Sequence, residues 1–307
     1  MGYLVENLSV ERRRPSPFVL SFGELVWDLY PDERRLGGCA ANLAYHSTRL
    51  GTHTALVSRV GDDKLGNEAR AWLEDAGVDV SELQRDDDAP TGEVSVRGGA
   101  NPSFEIASLA AWDRIEATPA AIGFAQRASV IAFGTLAQRT PLAGNALSDI
   151  LAVAAKDTWC LCDLNIRPPF DDANVIERSL RLSNVVKLNI EESERLAKIL
   201  NTQAPLEMLI DRYGIELVAL TRGDNGSLLL TADEMLEHPG VPLSTPGGGD
   251  AVGAGDAFSA ALAHLLSRGA SLGAISEGAN RYAAHVASFP GAMPKAHDEL
   301  VRSVTAI

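Results

Sequence analysis

From Pro17 onward the chain alternates two kinds of segment, and this alternation restricts its fold more than any single motif does. Short apolar runs rich in β-branched residues ("FVLSFG", "TALVSRVG", "ASVIAFG", "TWCLCDLN", "NVVKLN", "ELVALTRG") are separated by longer stretches of helical period, among them "NLAYHSTRLG", "KLGNEARAWLEDAG", "EESERLAKIL" and "AFSAALAHLLSRG". Strands that are apolar almost throughout are buried on both faces. The pattern therefore predicts an α/β protein whose mostly parallel sheet is covered by helices on either side. Gly51, Gly77 and Gly269 stand where helix C-caps belong. In open α/β sheets ligands lie beyond the carboxyl ends of the strands, so the Gly, Asn and Asp residues that close these runs are the first candidates for a site.

One region breaks the rhythm. Residues 89–115, "APTGEVSVRGGANPSFEIASLAAWDRI", alternate as a strand does, turn at Gly-Gly-Ala-Asn and show no helix. They predict a hairpin projecting from the main sheet, either a lid over the strand ends or a surface ribbon at an oligomer contact.

Composition narrows the class. The 307 residues are 46% hydrophobic and 22% charged, with no low-complexity tract, as in a folded soluble protein. A net charge of −14 repels phosphate at long range, which argues against non-specific binding to nucleic acid or to an anionic membrane. Cys39, Cys160 and Cys162 are the only cysteines, an odd and sparse set suited to a reducing compartment; "CLC" lies in an apolar strand without a partner pair of Cys or His, so a metal reading of it is weak. The stretch "MGYLVENLSVERRRPSPF" has no apolar run of signal-peptide length, and Glu6 stands where a myristoylation pattern needs Ser or Thr. Residues 1–17 read as a loose arm, and the expected location is the cytoplasm.

The chemistry concentrates in "GGGDAVGAGDAFSAAL", residues 247–262. The chain has no Gly-Lys dipeptide, hence no Walker A loop, and these glycines miss the G-x-G-x-x-G spacing of a dinucleotide fold. Gly253, Ala254 and Gly255 are small enough for close approach of a ligand to the main chain, and a helix starts directly after them. Unpaired N–H groups and the positive end of the helix dipole make such a start an anion site. Asp256 falls in the first turn, where a carboxylate is ordinarily just a favourable partner of the dipole.

"DAVGAGDAFSAAL" closely resembles the C-terminal signature of the ribokinase-like (PfkB) sugar kinases. In that family the Gly-Ala-Gly amides hold the transferring phosphoryl group and the final Asp takes the proton of the attacking sugar hydroxyl; the resemblance puts these roles on Gly253, Ala254, Gly255 and Asp256. "GELVWDLYP…RLGGCAANLAYHSTRLG" is similar to the N-terminal signature and implies Asp28, Gly37, Gly38 and Asn42 as the sugar grip. A carboxylate accepts two hydroxyl bonds, and glycine lets the sugar ring come close. "DLNIRPPF" implies Asn165 and Arg167 on the substrate side. "KLNIEESERL" matches the N-x-x-E motif and implies Asn189 and Glu192 as organisers of Mg2+ through water, although a helix-start Glu is usually only a cap. "LTRGDNGSLLL" implies Thr221, Gly223 and Gly226 at the nucleotide, and "GANRYAAHVASFPGAMP" implies Asn280 in an adenine pocket.

The resemblance covers nearly the whole chain from about residue 18 and implies a three-layer α/β/α fold, residues 18–307, with a small β lid formed near 26–36 and 89–115. It implies ATP and Mg2+ as cofactors, with K+ as a further one held by Asp250. Lys295, in the turn "PGAMPK", is then a candidate to stand in for that cation, against the ordinary reading of an exposed lysine. Two departures from the pattern are visible: "PGGG" replaces β-branched residues before Asp250, with Ala251 for the usual Thr, and predicts a frayed strand, while Cys39 and Ala40 stand where Ala-Pro is usual in fructokinase-like members and, both being small, should have little effect. Fructose is the first choice of acceptor, from resemblance to the fructokinase-like branch, with 2-keto-3-deoxygluconate, ribose and nucleosides as alternatives. The reading from another class is a catalytically silent regulator; the presence of Asp256 weighs against it. A homodimer joined through the lid would cover the hairpin's exposed edge.

Overall fold

The computed structural model describes residues 16–97, 103–244 and 249–306. Among the described residues thirteen strands form two sheets. In chain order they are β1 (Phe18–Phe22), β2 (Val26–Leu29), β3 (Arg34–Gly37), β4 (His53–Gly61), β5 (Leu83–Asp86), β6 (Gly92–Arg97), β7 (Ser103–Ile106), β8 (Val130–Gly134), β9 (Trp159–Asp163), β10 (Val185–Asn189), β11 (Leu217–Thr221), β12 (Ser227–Leu230) and β13 (Met235–His238). The larger sheet has the order β13-β12-β11-β10-β9-β8-β1-β4-β5. It is parallel from β11 to β5, and β12 and β13 are added antiparallel at one edge.

Side-chain alternation along the central strands explains the layers. In β1, Val19 faces one core while Phe18, Leu20 and Phe22 face the other; in β8, Val130 and Ala132 are set against Ile131 and Phe133 in the same way. Helices Pro141–Ala152 and Ala173–Leu182 cover one face, and Ala254–Ser267 with Leu272–Ala287 cover the other. Burial on both sides is why the strands read as continuous apolar runs rather than alternating ones. Strand order reverses between β8 and β1, which opens a crevice at their carboxyl ends.

The second sheet, in the order β3-β2-β6-β7, is the lid. Its β6–β7 hairpin matches the departure from rhythm in the sequence, with Val94 opposite Ile106; the Gly-Gly-Ala-Asn turn lies outside the described residues. Expectation and structure differ at the end of that segment. Ala111–Arg114 form a helical 3-10 turn, and Trp112 is fully buried in the main core, 4.0 Å from its ring centroid to the Arg139 guanidinium. Arg139 in turn donates to both oxygens of Asp113 at 2.6 Å. A buried Trp cannot sit on a projecting ribbon without losing that burial, so the chain returns to the body directly after β7.

Candidate active site

The helix Ala254–Ser267 starts without any side chain to cap it. Its first residue is preceded by Gly253 at φ 76, where a Cβ would lie 2.6 Å from Ala292 Cα, so only glycine fits. Ala251 also has a left-handed φ of 55, and Asn165 one of 40. Strained non-glycine residues persist where the surroundings over-determine them, and here both border the same cavity. No strand precedes Asp250 at Gly249; Pro246, Gly247 and Gly248 lie outside the described residues.

That cavity has a volume of about 350 Å³ and lies between the lid and the strand ends. Its lining brings together Asp28, Gly38, Asn42, Asn165, Arg167, Asn189, Glu192, Gly253, Gly255 and Asp256. Gly37 adjoins it, since a Cβ there would meet Asp28 Oδ2 at 2.6 Å. Ala254 opens the helix beside it. Asn42 Nδ2 donates to Asp256 Oδ2 at 2.6 Å. Burial, and next the charge of Asp163, push the Asp256 carboxyl up from its ordinary value, while the Asn42 bond and Lys187 oppose the shift. Asp28 is pushed up to about 6, by burial first and then by the Asp256 charge, with Arg167 and Arg35 acting the other way.

Several residues at the site went unnoticed in the sequence. Lys187 on β10 has Asp163 on β9 as its register partner, and its Nζ lies 3.1 Å from each Asp163 carboxylate oxygen. Ser259 Oγ donates to Asp163 Oδ2 at 2.7 Å. A Cβ on Gly255 would stand 3.0 Å from that Nζ, so the ammonium lies directly beneath the helix start. A lysine within "NVVKLN" and an aspartate closing "CLCD" were the available signals, because a charge in a doubly buried strand needs a partner. Glu24 is the other. It is buried just beyond β1, its Oε1 accepts from Cys39 N at 3.3 Å, and its Oε2 has no partner among the described residues. Burial raises its carboxyl, and the Asp256 charge raises it further.

Comparison with known proteins identifies the family. The family model described as pfkB family carbohydrate kinase matches residues 15–299. The chain belongs to that family. The kinase is 29% identical over 254 residues to a fructokinase of Salmonella typhimurium, covering 78% of this chain and 81% of that protein. It is 28% identical over 263 residues to a nucleoside kinase of Methanothermobacter thermautotrophicus, covering 82% and 77%. A solved fructokinase of Xylella fastidiosa with bound ATP superposes with a TM-score of 0.82 at 21% identity, covering 94% of the kinase and 97% of that chain. The fold is thus ribokinase-like α/β, and the enzyme class is ATP-dependent carbohydrate kinase. No helix among the described residues is long and apolar enough to cross a membrane.

The remaining expected residues lie outside the cavity lining. Thr221 ends β11 in register with Asn189, and Gly223 and Gly226 form the turn that follows. Gly226 has a packing reason of its own, because a Cβ there would strike His238 O at 2.1 Å. Asn280 is buried and donates to Ser227 Oγ and Ser276 O, both at 2.7 Å, so its donors are engaged within the protein.

The metal-related residues divide. Asn189 and Glu192 form a capping box: Asn189 Oδ1 accepts from Glu192 N at 2.9 Å, Glu192 Oε2 accepts from Asn189 N at 2.8 Å, and Oε1 accepts from Ile166 N at 2.9 Å. Each carboxylate oxygen accepts one bond and retains further acceptor capacity, and both residues line the cavity, which fits a divalent ion that retains its waters. Asp250 does not fit a cation site in the same way. Its Oδ2 accepts from Arg35 Nη1 at 3.1 Å and from Gly291 N at 3.0 Å, and its Oδ1 from Val252 N at 3.2 Å. The cation that the structure places against Asp250 is therefore Arg35 and not Lys295, which is exposed. Cys39, Asp163 and Asp256 also converge. There the Lys187 ammonium already neutralises Asp163.

Proposed function

We propose that the kinase transfers the γ-phosphoryl group of ATP to a hydroxymethyl group of a sugar, with fructose or a related ketose as the first choice. The observation that carries this reading is the placement of Asp256 in the first turn of an uncapped helix, in one cavity with Asp28 and Asn42. Asp28, Asn42 and the close backbone of Gly37 and Gly38 hold the sugar hydroxyls, with Asn165 and Arg167 at the other side. Asp256, its carboxyl raised by burial, takes the hydroxyl proton as the sugar oxygen forms its bond to phosphorus and the ADP oxygen leaves. Gly253, Ala254 and Gly255 offer main-chain donors to the phosphoryl oxygens in transit. Asn189 and Glu192 would hold a Mg2+ ion through water, and that ion would supply charge neutralisation at the phosphates. Thr221, Gly223, Gly226 and Asn280 border the nucleotide.

The cavity volume lies within the range for small-ligand sites, about 300–1,000 Å³, and accommodates a monosaccharide acceptor. A nucleoside acceptor is the second reading, supported by the 28% identity to a nucleoside kinase. A coupled ADP-release assay against ketoses, aldoses, sugar acids and nucleosides decides between them. Turnover confined to nucleosides would overturn the sugar assignment, and no turnover with any acceptor would favour the silent regulator.

A further inference from the structure

Arg35 stands on lid strand β3 as the register partner of Asp28 on β2, yet its guanidinium reaches out of the lid. Nη1 donates to Asp250 Oδ2 at 3.1 Å across 215 residues of sequence, while Nη2 bonds Glu33 within the lid. The side chain lies over the Tyr30 ring, 4.9 Å from the guanidinium carbon to the centroid. It also crosses the turn at Gly291, where a Cβ would come within 3.3 Å of its Cδ and Nη1. Asp250 is equally well connected on its own side, since it accepts from Gly291 N and Val252 N and sits three residues before Gly253. Arg34, the residue before Arg35, points to the opposite face of β3 and pairs with Glu68 on the helix Lys64–Asp75. Trp27 Nε1 donates to Leu65 O on that same helix at 3.1 Å. One flank of the lid is thus tied to the body of the protein by Arg34 and Trp27, and the other to the loop that leads into the helix start by Arg35.

We infer that the Arg35–Asp250 ion pair is a latch that couples closure of the lid to the geometry of the anion-binding loop, making Arg35 a positioning residue for phosphoryl transfer. The inference rests on the kinase reading of the site and deepens it. Asp28, the sugar grip, and Arg35, the latch, are cross-strand partners, so a lid that moves away carries both and leaves Asp250 without its cation. The forked, planar guanidinium bonds Asp250 through Nη1 and Glu33 through Nη2 at once from one strand position. The two side chains are 28% and 36% exposed, so the latch is reversible and screened by salt.

Hydrogen exchange of the protein without ligands tests the latch independently of substrate. In Asp250→Asn, whose substitution lies in the body, the amides of β3 and β2 exchange about fivefold faster, the effect of losing one partly exposed ion pair. In Arg35→Met, whose substitution lies in the lid, the amides of Val252 and Gly291 do the same, and Arg35→Lys shows a smaller change. Effects confined to the substituted segment in both variants overturn the inference. Calorimetry then measures how far fructose tightens binding of a non-hydrolysable ATP analogue. The tightening is lost in Arg35→Met and in the Arg35→Met, Asp250→Asn pair alike, with kcat falling more than the KM for ATP. Undiminished tightening in either variant also overturns it. Absence of ligand binding by the wild-type protein would count against the kinase reading, and the exchange result would still decide the latch.

Discussion

Asn42 Nδ2 and Asp256 Oδ2 are 2.6 Å apart, a bond that joins the N-terminal and C-terminal signatures at the centre of the cavity. It places the amide expected to touch the sugar on the carboxylate expected to take the sugar's proton. The Asn42 carbonyl oxygen is buried without a partner among the described residues, which leaves an acceptor for a hydroxyl donor.

Replacing that carboxylate gives the simplest test of the chemistry. Asp256→Asn should preserve the fold and ATP binding and lower kcat by at least about a hundredfold, the usual contribution of a general base. Near-normal turnover in steady-state assays would remove Asp256 from the role.

The elevated Asp28 carboxyl makes the proposed sugar grip sensitive to pH. Its value of about 6 means that the acceptor form is lost as pH falls through 6, so the KM for sugar should rise about tenfold per unit well below that pH while the KM for ATP stays flat. The effect is on binding and not on the fold: a carboxyl raised above its unfolded value disfavours the folded state above pH 6, and that penalty shrinks between 6 and 4. Parallel rises in both KM values would show that another group is titrating.

Gly255 tests Lys187. In Gly255→Ala the new Cβ meets Nζ at 3.0 Å, so the ammonium must give by a few tenths of an ångström beside Asp163, and turnover should drop severalfold for a stability loss of about 1 kcal/mol. Gly253→Ala, blocked by backbone and by its positive φ, should instead lower Tm by several degrees. Unaltered kcat in Gly255→Ala would mean that the position of Lys187 does not matter to transfer.

Because Asp250 already has a guanidinium partner, exchanging potassium for tetramethylammonium at constant ionic strength should leave turnover of the wild type within about twofold. Strong potassium activation would show that Arg35 gives way to an ion.

Much of this was legible in the sequence where a requirement is local. The strands of the central sheet betray themselves by continuous burial, and Gly253 and Asp256 by standing at the head of an apolar helix. Lys187, Asp163 and Arg35 were not legible, because their meaning depends on which strand lies beside which: Lys187 faces Asp163 only through the β9–β10 register. Trp112 was misplaced because alternation alone does not say which sheet a strand-like segment joins. Glu24 was passed over because a polar residue one step beyond a strand looks the same whether it turns inward or outward.

The two halves of the site come from the lid and from the body. Asp28 belongs to the lid, whereas Asp256, Lys187 and Glu192 belong to the body, and the lid strands meet the body through buried Val26, Trp27, Leu36 and Val94 together with a few polar contacts. Such a division lets acceptor preference drift through changes in a short ribbon while the phosphorus chemistry stays untouched. One scaffold can in this way yield relatives that are named for quite different acceptors, a fructokinase and a nucleoside kinase, at nearly equal distance from this chain.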